Sequence, residues 1–300
     1  MTSPSEKSRL ENAINTACAV AKQQGLNFDE AVILQDRSNL VIHLQPVPVV
    51  ARIATTTGTV RFGDAWFAKE VAVASYLAAA GAPVVSPTNL IQPGPHQHNG
   101  LVLSFWEFVE EIDELPDATI VGQTLRDCHE ALVDFAGELT VLDSLNESES
   151  LLSTLISQAA FSLSDAQMLQ AVNHHLKSRF QQLQLPIQPL HGDSNFSNVL
   201  NTTRGVLWTD WEDTFIGHIV WDIACLIASS YVFCTDIERA TAALNGYDLV
   251  IDQEILDLFI EARTFQGVMW NFIIGQQHPE SLERLEGRLS WLRDRYHTVS

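Results

Sequence analysis

The segment from His191 to Asp222 holds the residues whose types and spacing are best suited to chemistry. Asp193 follows a His-Gly pair, Asn198 comes five residues later, and Asp210 opens an Asp-Trp-Glu triplet. Phosphoryl transfer from a nucleotide needs a group that accepts the proton of the acceptor hydroxyl, and it needs oxygen ligands for Mg²⁺. Asp193 fits the first role, and Asn198 and Asp210 fit the second. The segment therefore predicts a class of reaction without identifying its substrate.

A β-hairpin is expected to position the two predicted metal ligands. Short apolar runs flank a polar stretch that contains Gly205, and this pattern favours a turn between two strands. If the hairpin is symmetric about Thr203, Asn198 lies opposite Trp208, and Asp210 lies two residues further along on the same face. Diagonal neighbours across strands are roughly 7–8 Å apart, which one hydrated cation can span. Mg²⁺ takes few protein ligands, so one amide and one carboxylate are sufficient.

This pattern resembles the aminoglycoside phosphotransferase and choline kinase-like family, whose members are related to the protein kinases. The family pattern is His-Gly-Asp, four residues, Asn, then Asp-Trp-Glu, and then a Gly and an Asp that open a helix. The resemblance implies that Asp193 is the catalytic base and that Asn198 and Asp210 bind the metal. It gives Asp222 a supporting catalytic role, in which it hydrogen-bonds and stiffens the loop. It also implies an α+β, two-lobed protein kinase-like fold, with a small, mainly antiparallel β lobe and a larger, mainly helical lobe.

Two residues of the motif have structural interpretations of their own. Asp222 precedes an apolar run and suits a helix N-cap, so pure capping and capping combined with loop support both stay open. His191 is interpreted as structural rather than catalytic. An isolated Asp-Asn pair is usually a turn, so the prediction depends on the joint pattern.

The first hundred residues favour a small lobe of strands with one inserted helix. The strands are predicted at 31–34, 40–44, 48–53, 89–92 and 100–105, and the helix at 64–80, where Gly81 ends it. We assign residues 1–103 to a nucleotide-binding lobe. Residues 104–300 show mainly helical apolar spacing and form the predicted catalytic and acceptor-binding lobe.

The resemblance implies a phosphate clamp in the small lobe. In the family, a cation on a strand holds the nucleotide phosphates and pairs with an acid on the helix, and Arg52 and Glu70 occupy these positions here. The family more commonly has Lys on the strand. Arg keeps a permanent charge and can bind phosphate oxygens through two N–H groups, so we interpret the change as tolerated. An edge Arg that pairs with any nearby acid is the alternative.

Two further segments are expected to contact the nucleotide. The backbone amides of Ser38 and Asn39 would meet the phosphates, although this loop lacks the Gly-rich run that allows a close approach. Residues 104–108, which include Phe105 and Trp106, are predicted to form an interlobe hinge whose backbone groups meet the adenine edge. An aromatic side chain in this segment fits the core as well as the ligand.

The acidic residues are concentrated in the predicted large lobe. Residues 1–103 carry 7 Lys+Arg and 7 Asp+Glu, whereas residues 104–300 carry 10 and 30, so the whole net charge of −20 falls there. This charge argues against nucleic acid and anionic membranes as partners. It favours a cationic acceptor such as an aminoglycoside, an amino sugar or a choline-like amine; the alternative is that it only keeps the protein soluble. The resemblance adds Glu212, Asp213 and residues 265–270 as acceptor-pocket candidates.

The remaining features indicate a cytoplasmic protein. No apolar run reaches 18 residues, and the N-terminal segment lacks the apolar core of a signal peptide. The four cysteines have no C-x-x-C spacing and are expected to be buried free thiols. His96 and His98 are interpreted as part of an exposed hairpin loop rather than a zinc site. The acidic, Ser-containing stretch 143–150 is predicted to be a linker.

We therefore expect a phosphotransferase that uses Mg²⁺ and ATP or GTP to phosphorylate a hydroxyl of a small molecule. The chain has no Asp-Phe-Gly to Ala-Pro-Glu activation segment, which argues against a protein acceptor. A non-catalytic nucleotide-binding or scaffold protein on the same fold is the alternative, favoured by the altered phosphate loop. The presence of Asp193, Asn198 and Asp210 argues against it.

Overall fold

The computed structural model describes residues 4–55, 58, 61, 63–141, 143–276 and 278–297. The chain divides into two compact units, one formed by Met1–Leu115 and Leu200–Glu212 and the other by Pro116–Val199 and Asp213–Ser300. The first unit contains an antiparallel sheet and the second is mainly helical. The α+β class expected from the sequence is confirmed.

The first unit extends beyond the boundary at residue 103 that the charge pattern predicts. Backbone hydrogen bonds explain why residues after 199 belong to it. The amide of Ile112 donates to the carbonyl of Asn201 at 2.7 Å, and the amide of Thr203 donates to the carbonyl of Glu110 at 3.1 Å. The hairpin that carries Asn201 and Thr203 is therefore hydrogen-bonded to residues 110–112, which follow β5. The assignment of nucleotide binding to one lobe and catalysis to the other stays a prediction.

The first unit is built on a five-stranded antiparallel sheet with the strand order β1-β2-β3-β5-β4. Its elements are α1 (Pro4–Gln23), β1 (Glu30–Asp36), β2 (Asn39–Gln45), β3 (Val49–Ala54), α2 (Ala65–Ala79), β4 (His96–His98) and β5 (Leu101–Glu107). Apolar residues of α1 pack on the inner strands, and α2 packs against β5. All six residues of β3 are buried, because this strand lies in the middle of the sheet. This burial lowers the mobility of any side chain that β3 presents.

One predicted strand is not formed, and an unexpected one takes its place. Residues 89–91 are bends and residue 92 has no regular structure, whereas β4 pairs with the start of β5 through the turn Asn99-Gly100. Both turn residues have positive φ, +49° and +77°, which Asn and Gly tolerate better than other residues. His96 and His98 therefore lie in a strand, and the interpretation of this segment as a loop is wrong.

Among its described residues, the second unit contains seven α-helices and a short two-stranded sheet. Between its two segments the chain forms a β-hairpin, most of which belongs to the first unit. The elements are α3 (Ala118–Leu132), α4 (Asp143–Ser157), α5 (Leu163–Gln182), β6 (Gln188–Leu190), β7 (Val199–Thr202), β8 (Gly205–Trp208), β9 (Phe215–Gly217), α6 (Val220–Phe233), α7 (Ile237–Tyr247), α8 (Gln253–Gly275) and α9 (Glu280–His297). Strands β6 and β9 pair antiparallel, and α8 packs against α6 and α9. Aspartates cap two of the helices, since Asp117 accepts from Thr119 N at 2.8 Å and Asp252 accepts from Glu254 N at 2.9 Å.

The acidic stretch 143–150 is helical rather than a linker, because it forms the start of α4. Leu145, Leu152 and Leu155 recur at helical spacing and are buried, so packing of one helix face decides the structure of this segment. The acidic and serine side chains that resemble a linker occupy the rest of the helix surface.

The cysteines differ in their exposure. All four are free; Cys128 and Cys225 are buried, Cys18 is half-buried and Cys234 is exposed. The expectation of buried thiols is therefore wrong for Cys234, which ends α6 with a positive φ of +53°. Within the described ranges, no helix is long and apolar enough to cross a membrane.

Candidate active site

Five charged side chains of the first unit meet around Arg52, and we refer to them as the Arg52 cluster. The Arg52 guanidinium contacts Glu70 at 2.6 Å, Asp210 at 2.5 Å and Glu212 at 3.0 Å. Glu212 also accepts from Arg61 at 3.0 Å. The ion pair between Arg52 and Glu70 that the family resemblance implies is therefore present. Its role in holding nucleotide phosphates stays a prediction.

Strand β3 and helix α2 determine where the Arg52 side chain lies. Arg52 pairs with Val41 on β2 and with Ser104 on β5, so its strand is flanked on both edges. Its guanidinium lies 5.0 Å from the centre of the Phe67 ring. Phe67 and Glu70 are three residues apart on α2 and share a face. A buried aromatic ring and a buried carboxylate thus hold the guanidinium in place.

Acids outnumber bases within the Arg52 cluster, and this imbalance shifts the pKa values of its members. Burial by itself would lower the pKa of Arg52, but the carboxylates of Asp210, Glu212 and Glu70 outweigh burial and raise it. Burial raises the pKa of Glu70 well above its usual value, Arg52 opposes this shift, and Asp210 and Glu212 add to it. Arg52 is therefore firmly charged, whereas the carboxylate of Glu70 would gain stability from a further cation nearby.

Asp210 is the acid of the Arg52 cluster that can reach a ligand. Its side chain is 30% exposed, compared with 1% for Glu70 and 5% for Glu212. Its φ of +65° lies in the left-handed region, which non-glycine residues adopt rarely and often at functional sites. An exposed carboxylate in a cluster with excess negative charge fits the oxygen ligand of a divalent cation. The donor set is thus compatible with the predicted metal role of Asp210.

Two members of the Arg52 cluster were not predicted as such from the sequence. Arg61 was not singled out, and Glu212 was predicted to lie in the acceptor pocket. Arg61 packs over the Trp66 ring, 4.1 Å from its centre, and is buried. It lies 151 residues from Glu212 in the chain, so no local pattern indicates their contact. Because Glu212 is buried and paired with two arginines, its expected place in an acceptor pocket is wrong.

Of the four other residues predicted to contact the nucleotide, three lie in strands of the first unit and Ser38 lies in a turn between two of them. Ser38 lies in the turn between β1 and β2, and its carbonyl accepts from Thr55 Oγ1 at 3.4 Å. Asn39 is the first residue of β2 and is buried. The contact of Ser38 and Asn39 with phosphates stays a prediction.

Phe105 and Trp106 are core residues. The Phe105 side chain is fully buried, its amide donates to Pro93 O at 2.7 Å, and its carbonyl accepts from Thr88 N at 3.2 Å. The indole N–H of Trp106 donates to Ser104 Oγ at 2.8 Å. Residues 104–107 belong to β5, and the hinge predicted at 104–108 and its contact with a base stay predictions.

In the second unit, Asp222 holds the loop between β6 and β7. Its carboxylate accepts from the backbone amides of His191 at 2.7 Å and Gly192 at 2.8 Å, and it lies 2.7 Å from His129 Nε2. Ser194 Oγ donates to the backbone carbonyl of Asp222 at 2.8 Å. Asp222 is fully buried. The loop support predicted for Asp222 is therefore seen in its hydrogen bonds.

The hydrogen bonds to Asp222 keep its carboxylate charged. Burial by itself would raise the pKa of Asp222, but the hydrogen bond and charge of His129, with smaller contributions from His191 and the Gly192 amide, lower the pKa below its usual value. Helix α6 begins at Val220 after the N-cap residue Ile219. The N-cap role predicted for Asp222 is therefore wrong, since it lies inside the first helical turn.

Gly192 and His129 complete the support of this loop. Gly192 has a φ of +88°, and a Cβ at this position would collide with the backbone of Asp213, so the conformation requires glycine. Its carbonyl accepts from the indole N–H of Trp221 at 2.8 Å. His129 also lies 2.7 Å from the Tyr247 hydroxyl through Nδ1. In the sequence, His129 looks like one more member of an apolar helix face.

Asp193, the predicted base, is held by Asn198 on one side and by Arg263 on the other. Asn198 Nδ2 donates to the Asp193 carbonyl at 2.8 Å and to its carboxylate Oδ2 at 3.1 Å. Arg263 of α8 donates to Oδ1. The side chain of Asp193 stays 25% exposed, so an acceptor can reach it. The structure thus brings Asp193, Asn198 and Asp222 together in one unit.

Arg263 was missed because the sequence analysis placed the acceptor pocket a few residues further along. Residues 265–270 are mostly core, with Phe265, Val268 and Met269 fully buried. Burial would lower the pKa of Arg263, but the charge of Asp193 outweighs burial and raises it. The sequence does contain a pattern that could have indicated Arg263 as a functional residue: it is a cation in a mostly apolar helix, four residues before Gly267.

The hairpin formed by β7 and β8 differs from the predicted one. A two-residue turn, Thr203-Arg204, joins the strands, so the centre lies between these residues and not on Thr203. Asn198 precedes β7 in a short 3₁₀ turn and cannot pair with Trp208 across the hairpin. Trp208 pairs instead with residues 83–85, accepting from Val85 N at 3.0 Å.

The predicted metal ligands lie in different units, Asn198 in the second and Asp210 in the first. That both bind one Mg²⁺ stays a prediction. In the part of the chain that the structure describes, no group of three or more His, Cys, Asp and Glu side chains could hold a metal. A Mg²⁺ site needs no such group, because waters and substrate phosphates complete its coordination.

Comparison with known proteins places this geometry in a family. The chain is similar to an amicoumacin kinase, hAmiN, in complex with AMP-PNP, Ca²⁺ and Ami, with 14% identity, 96% of each chain covered and a TM-score of 0.72. It is also similar to a choline/ethanolamine kinase family protein from Mesorhizobium loti, with 14% identity, coverage of 95% and 94% and a TM-score of 0.67. The choline kinase LicA from Streptococcus pneumoniae shows 13% identity, coverage of 93% and 99% and a TM-score of 0.66. These structures confirm the kinase-like fold.

At the level of sequence, no curated protein matches the chain significantly. The model of the phosphotransferase enzyme family, APH, matches residues 32–259. This match covers well over half of the chain and includes Arg52, Asp193 and Asp210. The chain therefore belongs to the phosphotransferase enzyme family APH.

Proposed function

We propose that this protein transfers the γ-phosphate of ATP or GTP to a hydroxyl group of a small molecule, with Mg²⁺ as the metal. The observation that carries the proposal is the anchored loop of the second unit. Asp193 is accessible there, Asn198 donates to its carboxylate, and Asp222 fixes the backbone two and one residues before it. A reactive carboxylate on such a rigid support suits general-base catalysis.

Asp193 would accept the proton of the acceptor hydroxyl. Its two carboxylate oxygens already accept from Arg263 and Asn198, but each oxygen has a second lone pair. A hydroxyl can therefore donate to Asp193 without displacing either partner. Arg263 and Asn198 would orient the carboxylate.

The first unit would bind and neutralise the nucleotide phosphates. Arg52 is charged and is held by Glu70, so it would present its guanidinium without a large loss of side-chain freedom. Asp210 in this unit and Asn198 in the second are the proposed ligands of Mg²⁺, which supplies charge stabilisation to the transferred phosphoryl group. The Arg52 cluster has the negative charge that such a cation requires. Most of the catalysis would consist of positioning and charge stabilisation.

The class of acceptor is a finer proposal. The solved structures of similar fold include kinases of choline and ethanolamine, and residues 104–300 have a large excess of acids. Both observations support an amine-bearing acceptor. The acidic excess, however, is a property of the whole surface, whereas the residue that contacts Asp193 on α8 is an arginine.

A non-catalytic nucleotide-binding or scaffold protein is the second candidate. The placement of Phe105 and Trp106 in the core and the burial of Asn39 support it, since these residues offer less to a nucleotide than the sequence predicts.

We also propose a cytoplasmic location, because Cys128 and Cys225 are buried free thiols and thiols persist in reducing compartments.

Two measurements test the proposal. MgATP or MgGTP is expected to raise the melting temperature through linkage, and a coupled assay is expected to show nucleotide consumption that depends on an added small-molecule alcohol. The acceptor panel contains amino-alcohols, aminoglycosides, sugars and hydroxy acids. Nucleotide binding without consumption on any acceptor would favour the scaffold candidate, and the absence of any melting shift would contradict both.

A further inference from the structure

The side chain of Arg288 on α9 packs against a glycine of α8. The guanidinium end of this side chain lies against Gly267, and a Cβ added to that glycine would be only 2.5 Å from Arg288 Nε. Glycine inside a helix is less favourable than alanine, and the close approach of Arg288 explains why this position has no side chain. Arg263, Gly267 and Asn271 follow one another at four-residue steps and share one face of α8. The arginine is therefore placed on the same face as the residue that contacts Asp193.

Within the described part of the chain, Arg288 makes its contacts with uncharged groups. Its guanidinium donates to Asn271 Oδ1 and to Ser229 Oγ, the latter at 3.3 Å, and lies 5.3 Å from the centre of the Phe233 ring. Among the residues that the structure describes, no carboxylate lies within salt-bridge distance of Arg288. The two hydrogen bonds engage only part of a group with five N–H donors. A half-buried guanidinium thus lacks a counter-ion in a chain of net charge −20.

The surroundings of Arg288 are positively charged. Burial, followed by the charges of Arg263 and Arg284, lowers the pKa of Arg288 to about 10, and Asp193 only partly opposes this shift. Arg284 lies four residues before Arg288 on α9 and therefore on the same helix face. An anion would relieve the repulsion among these three cations. The same interactions show that Arg288 lies within electrostatic reach of the predicted base.

We propose that the acceptor of this phosphotransferase carries an anionic group, a carboxylate or a phosphate, and that Arg288, oriented by Asn271 and Ser229, binds it. The inference rests on the proposed function, because it assigns this anion to the molecule whose hydroxyl meets Asp193. It replaces the cationic acceptor that the overall charge favours. Charges spread over a surface are screened within about 10 Å at 0.1 M salt, so groups next to Asp193 decide recognition of the acceptor.

The first test compares acceptors that differ only in charge. A matched series of three-carbon alcohols would bear an amine, a carboxylate, a phosphate ester or no charged group. The expected result is a kcat/KM for an acidic member at least about tenfold above that of the amine, since charge-assisted hydrogen bonds contribute about 1.5–3 kcal/mol. The carboxylate and phosphate arms identify the acid. Preferred use of the amine would overturn the proposal.

The second test measures anion binding without turnover, so it decides the matter even if no member of the series is a substrate. Inorganic phosphate and acetate are titrated at constant ionic strength, with the melting temperature as readout. Arg288→Gln is expected to weaken the binding of one of them by about 10–100-fold. Arg288→Lys keeps the charge and is expected to lose less. Arg179→Gln, an exposed arginine on α5, is the control and should bind like the wild type.

The outcomes separate this inference from the proposed function. Equal anion binding by Arg288→Gln and wild type would overturn the anion site. Loss of the MgATP-dependent melting shift in Arg288→Gln, with anion binding by the wild type intact, would assign Arg288 to the nucleotide and also overturn the proposal. If wild-type protein shows no MgATP or MgGTP shift, the proposed function fails instead. A tenfold higher KM for the acidic acceptor in Arg288→Gln, with the control unchanged, supports the inference.

Discussion

The Arg52 cluster of the first unit and the Asp193 loop of the second are both built from acidic side chains, but their acids have different partners. In the Arg52 cluster, three carboxylates share two guanidinium groups. In the loop, the buried acid Asp222 is satisfied by two backbone amides and a histidine. Asp193 has a guanidinium and an amide as its partners.

A further cation would stabilise the Arg52 cluster, where acids outnumber bases, whereas the buried acid of the loop already has its donors. A buried carboxylate without full compensation has a raised pKa, as Glu70 does. A buried carboxylate with three donors has a lowered pKa, as Asp222 does. The first arrangement can respond to a metal or a nucleotide, whereas the second is a rigid support. Four substitutions test this contrast.

Asp193→Asn is expected to have the largest effect. It should lower kcat by about 10²–10⁴-fold, the usual contribution of a positioned base, while leaving MgATP affinity near that of the wild type. The amide keeps one oxygen for Arg263 but cannot accept at both positions, so the bond from Asn198 Nδ2 to the side chain is lost, whereas its bond to the backbone carbonyl of residue 193 is kept. Steady-state rates and nucleotide-dependent melting would be measured side by side. A variant that works at full speed would remove Asp193 from the mechanism.

Arg52→Ala is expected to abolish most of the melting shift produced by MgATP or MgGTP. It should also destabilise the protein by about 3–5 kcal/mol, because Glu70 is left as a buried charge without its partner. Urea unfolding measures the stability, and melting curves measure the nucleotide effect. The double variant Arg52→Ala with Glu70→Gln should recover part of the stability but not the nucleotide response. Recovery of both would contradict the phosphate role of Arg52.

Asp210→Asn tests the metal assignment. The neutral amide should weaken Mg²⁺-dependent nucleotide binding by about 10–100-fold, the usual loss when support of a metal is removed, while the protein stays folded. Titration of Mg²⁺ at fixed nucleotide concentration provides the measurement. Because removing one acid also reduces the repulsion in the Arg52 cluster, the metal-free variant should be at least as stable as the wild type. Unchanged Mg²⁺ dependence would exclude Asp210 as a ligand.

Asp222→Asn is expected to have the smallest effect, and to act on stability and its pH dependence. Because the pKa of Asp222 is lowered by folding, its contribution is fully present above the unfolded-state value of about 3.9 and is lost as pH falls through the lower folded-state value. At about pH 7, the variant should lose about 1.5–3 kcal/mol. Urea unfolding between about pH 5 and about pH 2 should show a shallower acid dependence. The same acid dependence as wild type would contradict the role of Asp222 in clamping the loop.

The sequence was a good guide to the sheet and to the spacing of the motif, and a poor guide to boundaries and partners. Short apolar, partly β-branched runs predicted β1, β2 and β3 to within two residues at each end, because such runs bounded by turn residues favour strands. The linker at 143–150 was wrong, because burial of leucines in α4 outweighed the acidic, serine-containing composition.

The order of Asp193, Asn198 and Asp210 along the chain was enough to indicate phosphoryl transfer. The short loop and the hairpin that carry these residues limit how far apart their side chains can lie. The partners of these residues required the tertiary structure. Arg263 lies 70 residues from Asp193, His129 lies 93 residues from Asp222, and Arg52 lies 158 residues from Asp210. Local periodicity carries no information at such separations, since these contacts depend on how helices and strands pack. Packing likewise placed Arg263 next to the predicted base and Arg288 against the same face of α8, and the anionic acceptor that we propose rests on this placement.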